Sequence, residues 1–203
     1  MIEKISLYLT NKIRKEMPDV DDDRADAINF GLQIMIGEIP KMLIMLLIAY
    51  TLGVLKTTLV TVIVLMPYRG FSGGFHLKTH IGCIVSTCLF YCGISILAEK
   101  IILLNIIKYL LVGIAFIYGI IMIWLYAPAD TEDVPILSKR VRRQKKILSY
   151  ISFVIGLIIA IFIKNNLICN IIVFGYIVQT FMITKIAYRL TNNKYGYEVY
   201  ENA

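Results

Sequence analysis

The chain has 203 residues, 58% of them hydrophobic, with a mean hydropathy of +0.73 and a formal net charge of +7. A soluble domain is usually about 45–50% apolar, so the composition excludes an ordinary water-soluble enzyme. Four cysteines, Cys83, Cys88, Cys92 and Cys169, lie in or beside apolar runs with no CxxC among them, which excludes a disulfide framework.

Residues 1–17 place Ile2, Ile5, Leu9, Ile13 and Met17 near one helical face, with Lys4, Lys12, Lys15 and Glu16 around the rest. That pattern predicts an amphipathic helix lying in the membrane interface. No cleavable signal is visible, because residues 1–24 lack an apolar h-region, so the first spanning helix is expected to do the targeting. The connector PDVDDDRAD follows, with helix-start character at Asp21 to Asp23. A long segment over 26–55 comes next, interrupted by Gly37, Glu38, Pro40 and Lys41. Glu38 and Lys41 are spaced to pair at i, i+3.

The second apolar run, Thr57 to Tyr68, is short for a full crossing. Either its helix starts earlier, or the glycine-rich stretch after it lies at membrane depth, where irregular backbone must be buried in protein or line a wet cavity. A third helix is expected from His80 to about Leu97, with Cys88 and Cys92 as small packing residues. A fourth covers 104–126, with Lys108 snorkelling toward the surface. A polar loop with two prolines is expected over APADTEDVPILSKRVRRQKK, ending in KRVRRQKK, residues 139–146, which carries six basic residues. The fifth helix is expected over 147–163, a tight turn at 164–166, and the sixth over 167–187.

The expected fold class is therefore an all-α integral membrane protein of about six transmembrane helices. It reads as a single polytopic domain over 1–203: interfacial helix and connector at 1–24, transmembrane bundle at 26–187, cytoplasmic tail at 188–203. The basic cluster sets orientation by the positive-inside rule. Both termini and the 69–79 loop then fall on the cytoplasmic side of the cell membrane. Attachment of the cluster to a spanning helix argues for anionic lipid as its surroundings and against nucleic acid.

The stretch YRGFSGGFHLKTHIGC, residues 68–83, carries the chemistry. A thiol at Cys83 near a helix start and an imidazole at His76 are the minimum equipment for cysteine nucleophilic catalysis. Arg69 and Lys78 add positive charge that favours a thiolate, and Gly73 and Gly74 permit a sharp bend. On one continuous helix His76 would sit about 10.5 Å along the axis from Cys83 and lean away from it. Contact thus requires His76 to lie off the helix, whereas His80, at i−3, reaches Cys83 without a bend. The spacing of His76, His80 and Cys83 also offers three nitrogen and sulfur ligands for zinc, with no fourth evident.

The order Arg69-Gly-Phe-Ser-Gly-Gly-Phe-His76, then Cys83, then Ala127-Pro-Ala-Asp130-Thr-Glu132 with Pro135, resembles the accessory gene regulator B family over nearly the whole chain. The resemblance implies a membrane cysteine endopeptidase of Gram-positive quorum sensing. Such an enzyme cleaves the C-terminal part from an autoinducing-peptide precursor through a thioester and supports closure of a lactone ring. It implies Cys83 as nucleophile, His76 rather than His80 as base, and Arg69, Gly73 and Gly74 as supporting motif residues. Ser72, Asp130 and Glu132 are candidates for orienting His76 or the substrate. The implied partner is an amphipathic precursor with an acidic C-terminal tail, for which Lys139, Arg140, Arg142 and Arg143 are candidate contacts, together with membrane lipid. Neither cofactor nor metal is implied, and a homodimer is a further expectation. The rival reading is a small transporter or exporter of a peptide or lipid, with Glu38, Lys41 and Gln179 lining its path; inverted repeats would favour it, and none is visible.

Overall fold

The structure, a computed structural model, describes residues 2–17, 20–77, 79–132 and 134–200. Lys78, Pro18 and Asp19 of the connector, and residues 201–203 of the tail lie outside the described residues. The described residues form helices joined by short links, with isolated bridges and no strand. Two compact units are separable, Met1–Leu47 and Ile48–Ala203.

In the first unit, α1 covers Ile2–Glu16 and buries Ser6 and Thr10, while Ile5, Leu7, Tyr8 and Met17 are exposed. The inward strip of α1 is thus small and polar, with the Thr10 hydroxyl donating to the Ser6 carbonyl. α2 spans Asp22–Thr51 and starts as the acidic connector predicts, the Asp21 carboxylate accepting from the Arg24 N–H at 2.8 Å. The expected interruption is absent: the helix runs on through Gly37 and Pro40. Proline removes one hydrogen bond and kinks a helix, but in an apolar run the alternative is irregular backbone with nothing to bond. Lys41 and Glu38 pair at 2.6 Å, as their spacing predicts.

The second unit is built around α7, Asn166–Met182, which packs against α3 (Leu55–Ser72), α4 (His80–Lys100), α5 (Asn105–Tyr126) and α6 (Lys139–Phe162). α4, α5 and α6 are long and apolar enough to cross a membrane by length and composition. α3 is longer than its apolar run, beginning at Leu55 and continuing past Pro67 and Arg69 to Ser72. α6 begins before its apolar run, because Ser138 caps it by accepting from the Val141 N–H; the basic cluster is therefore helix and not loop. Asn165 caps α7 in the same way, through Leu167 and Ile168.

Tight helix packing rests on ring against glycine. Tyr68, Phe153 and Tyr176 form a cluster with centroids 4.9–5.4 Å apart. A Cβ on Gly119 would stand 2.0 Å from the Phe153 ring, and one on Gly156 2.0 Å from the Tyr176 hydroxyl, the small-residue solution of helix association in lipid. Lys108 departs from expectation. It is 6% exposed, and its ammonium donates to the Ile163 carbonyl at the C-terminus of α6, where a cation suits the helix dipole.

Hydrogen bonds tie the links together at two ends of this unit. At one end Asn170 holds the Ala98 and Ile101 carbonyls, and Thr57 bonds Glu99. At the other end the 73–77 segment, the 127–136 loop and the chain after α7 meet. That last stretch, expected as a polar tail, is folded: α8 covers Lys185–Leu190 and α9 covers Gly196–Tyr200. Tyr188, Tyr195 and Tyr197 stack in series at 4.1 and 5.4 Å.

Candidate active site

The end of α3 is shaped by two glycines. Gly73 has φ +74° and Gly74 φ +138°, both in territory that disfavours side chains. Space requires glycine as well: a Cβ on Gly73 would lie 2.3 Å from the Ala129 carbonyl oxygen, and one on Gly74 2.2 Å from Arg69 Nη1. The bend lets the 127–131 loop dock alongside. Ala129 N–H donates to the Ser72 carbonyl at 2.8 Å, and Gly74 N–H donates to the Ala129 carbonyl at 2.9 Å.

Arg69 points back under this bend and organises it. Its Nη1 donates to the Gly73 carbonyl and to Gln179 Oε1, each at 3.3 Å, and Nη2 donates to the Phe75 carbonyl at 3.2 Å. Gln179, fully buried on α7, completes the set by donating to Ser72 Oγ at 2.9 Å and to the Gly73 carbonyl at 2.8 Å. A guanidinium and an amide thus satisfy the carbonyls that the bend strips from α3, as buried backbone demands. The Ser72 hydroxyl is an acceptor in this scaffold.

Beyond the bend the chain is non-helical through Leu77, and α4 starts at His80. His76 therefore lies off the helix, the condition its pairing with Cys83 required. Its side chain is exposed, and its backbone carbonyl accepts from Asn193 at 2.9 Å. His80, exposed, is the first residue of α4. Thr79 caps that helix by accepting from the Gly82 N–H at 3.1 Å. Cys83 is 8% exposed, and its N–H makes the first regular helical bond, to the Thr79 carbonyl at 2.9 Å. Helical side chains lean toward the N-terminus, which directs the Cys83 side chain back over the first turn of α4. Among the described residues no group of three or more His, Cys, Asp or Glu is arranged to hold a metal.

The second motif braces this end of the unit. Asp130 is buried, and its Oδ2 accepts from Arg142 Nη2 at 2.7 Å and from the Ile136 N–H at 2.9 Å. Its backbone carbonyl accepts from the Tyr188 hydroxyl at 3.0 Å. Arg142 also donates to the Pro128 and Ile136 carbonyls and stacks 4.7 Å over the Tyr197 ring. Both residues, candidates for contact with His76 or substrate, are engaged in joining the 127–136 loop to α6. Lys146 is tied to the Trp124 carbonyl at 2.6 Å, whereas Lys139, Arg140 and Arg143 are exposed. Glu132 is partly buried, with its carbonyl accepting from the Tyr200 hydroxyl. Burial pushes the Tyr188 and Tyr195 hydroxyls well above the ordinary tyrosine range, which keeps them neutral donors. Sequence reasoning missed Asn193 and the tyrosines, and it read Gln179 as a path-lining residue. The signals present were an isolated amide in an apolar helix and the tyrosine spacing of YRLTNNKYGYEVY.

No solved structure matches the chain. The accessory gene regulator protein B of Staphylococcus aureus (strain JH9) is 34% identical over 137 residues, covering 67% of this chain and 70% of that protein. A "Putative AgrB-like protein" of Clostridium acetobutylicum is 24% identical over 195 residues, 96% of this chain and 91% of the relative. Another of that description, from Listeria innocua, is 25% identical over 190 residues, 93% and 91% of the two chains. The sequence model described as Accessory gene regulator B matches residues 6–183, taking in the bend, the thiol helix and the bracing loop. By that match and by the identity to the staphylococcal protein, the chain belongs to the accessory gene regulator B family.

Proposed function

We propose that the chain is a multi-pass membrane cysteine endopeptidase of quorum sensing that processes an autoinducing-peptide precursor. The observation that carries the reading is the glycine bend: it puts His76 off the helix, just ahead of the first turn of α4, where Cys83 is held. α2 to α7 supply about six crossings, and α1 rests at the interface. The basic start of α6 marks the cytoplasmic side. The 73–77 segment and the chain after α7 join that end through the 127–136 loop, by the Gly74–Ala129, Tyr188–Asp130 and Arg142–Asp130 bonds.

The chemistry is acyl transfer. His76 takes the Cys83 proton, and the thiolate attacks a precursor carbonyl carbon. The peptide C–N bond breaks; the departing amine takes a proton from the imidazolium, and the C-terminal fragment leaves. The N-terminal part remains on Cys83 as a thioester. A precursor side-chain thiol, or hydroxyl, then attacks that carbonyl, losing its proton to His76. The ring closes and the Cys83 thiolate is released. The thioester conserves acyl energy that hydrolysis would dissipate, so the site must exclude water; the burial of Cys83 and the tied-down 73–77 segment suit that need. The exposed Lys139, Arg140 and Arg143 suit an acidic precursor tail.

Co-expression with a short amphipathic candidate precursor that carries an internal Cys or Ser and an acidic tail tests the reading. Wild type should release the C-terminal fragment and leave a hydroxylamine-sensitive adduct on Cys83. Cys83→Ala should insert normally and release nothing. Cleavage by Cys83→Ala would refute the assignment.

A further inference from the structure

The stretch after α7 reaches the candidate site through one side chain. Asn193 is 8% exposed, and its Nδ2 donates to the His76 carbonyl at 2.9 Å, to the Thr191 carbonyl at 3.2 Å and to Thr191 Oγ1 at 2.9 Å. A flipped amide would set an oxygen against three acceptors, so the donor orientation is the one that fits. Asn193 is itself firmly presented. Its N–H donates to the Tyr188 carbonyl at 2.8 Å, after a reversal at Asn192 with φ +54°. Tyr195, which makes none of these bonds, stacks on Tyr188 and donates to the Ile183 carbonyl at 2.8 Å, docking the stretch that follows.

This bond closes a series. The Gly73 carbonyl is held by Arg69 and Gln179, the Phe75 carbonyl by Arg69, and the His76 carbonyl by Asn193. Arg69 and Gln179 act from the bundle side, and the His76 anchor comes from beyond α7. Without it, the segment from Phe75 to Leu77 loses a backbone anchor at the residue that carries the imidazole. Residue 193 lies past the last position matched by the family's sequence model, residue 183.

We propose that Asn193 is a positioning residue: by fixing the His76 backbone, its amide sets the imidazole against Cys83. The inference rests on the reading of His76 and Cys83 as base and nucleophile. Displacing a reacting group by about 1 Å can cost roughly 10²-fold, so the expected loss is about 10–100-fold in kcat.

The test compares wild type with Asn193→Asp, which keeps the shape and lacks the N–H donor, and with Asn193→Ala. The purified full chain acts on synthetic precursor. Tyr195→Phe, which loosens the same stretch without touching His76, is the control. Both Asn193 variants should lose kcat with KM unchanged. Alkylation of Cys83 by iodoacetamide, counted as the part absent from Cys83→Ala, should slow in parallel, and Tyr195→Phe should keep both rates. Wild-type kcat in Asn193→Asp overturns the proposal. So does a loss shared equally by Tyr195→Phe, which would mean that only docking of the C-terminal stretch matters. Cys83→Ala separates the two levels: if it cleaves precursor, the peptidase reading falls. If it is inert while Asn193→Asp is fully active, only the role of Asn193 falls.

Discussion

Gly73→Ala is the sharpest test of how this end of the unit is built. Gly73 has φ +74° and ψ −148°, a combination essentially confined to glycine. Holding an alanine there costs about 1–3 kcal/mol. The new methyl carbon would also stand 2.3 Å from the Ala129 oxygen and 2.9 Å from its carbonyl carbon. Both are backbone atoms, so relief requires moving the 127–131 loop. That motion breaks the Ala129-to-Ser72 and Gly74-to-Ala129 hydrogen bonds, each worth about 0.5–1.5 kcal/mol net. The sum is roughly 2–6 kcal/mol. At about 2–4 °C per kcal/mol for a chain of this size, the melting temperature should fall by on the order of 10 °C. The assay is thermal unfolding of purified protein in one detergent, followed by tryptophan fluorescence and by loss of the monodisperse chromatographic peak. Gly74→Ala is the internal comparison. Its methyl would meet Arg69 Nη1 at 2.2 Å, and withdrawal of the guanidinium gives up its bonds to the Gly73 and Phe75 carbonyls, so it too should melt below wild type while precursor cleavage fails. A Gly73→Ala or Gly74→Ala protein that melts with wild type would refute this account of the bend.

His76→Ala should lower cleavage by about 10²–10⁴-fold, the usual cost of a lost general base, while His80→Ala stays within a few-fold; the reverse order in a kcat comparison would return the base to the helix. Asp130→Asn and Arg142→Gln should each lower the melting temperature, and the double variant should lose less than the sum, since both break one buried pair; strictly additive losses would contradict the pairing. Neutralising Lys139, Arg140 and Arg143 together should raise the apparent KM and flatten its dependence on salt, because exposed charges are screened over about 8 Å at physiological ionic strength. Removing acidic residues from the precursor tail should give the same loss, less than additively with the first change. Unchanged KM with orientation intact would leave the cluster a topology signal alone.

The helical architecture was legible because apolar length is a strong signal and lipid permits few alternatives. Prediction and structure diverge at particular residues. Gly37 and Pro40 read as an interruption, and the helix continues because local propensity is a weak prior in an apolar surrounding. KRVRRQKK reads as loop by charge, and it is helix because Ser138 caps its first turn. Lys108 reads as a snorkelling cation and is instead buried against the last turn of α6. For the last two the deciding partner is a single capping hydroxyl or is distant in sequence, and hydropathy records neither.

The site divides along the same line. Cys83, His76 and the glycines announce themselves by chemistry and spacing, since a bend is the means of bringing His76 off the helix ahead of a thiol at residue 83. Their supports do not. Arg69 reads as a charge near the thiol, but two of its N–H groups hold the carbonyls of Gly73 and Phe75. Asp130 and Arg142 read as candidates for contact with base or peptide, and they are braced against each other. Gln179 reads as a polar residue on a transport path, and its amide is engaged with Ser72, Gly73 and Arg69. A polar side chain left unpaired in an apolar bundle would be costly, so a lone glutamine there implies backbone needing donors and acceptors. The backbone that needs them is the glycine bend. In the proposed acyl transfer a thioester must outlast water long enough for ring closure, and that requirement favours a loop held carbonyl by carbonyl over one that is merely flexible.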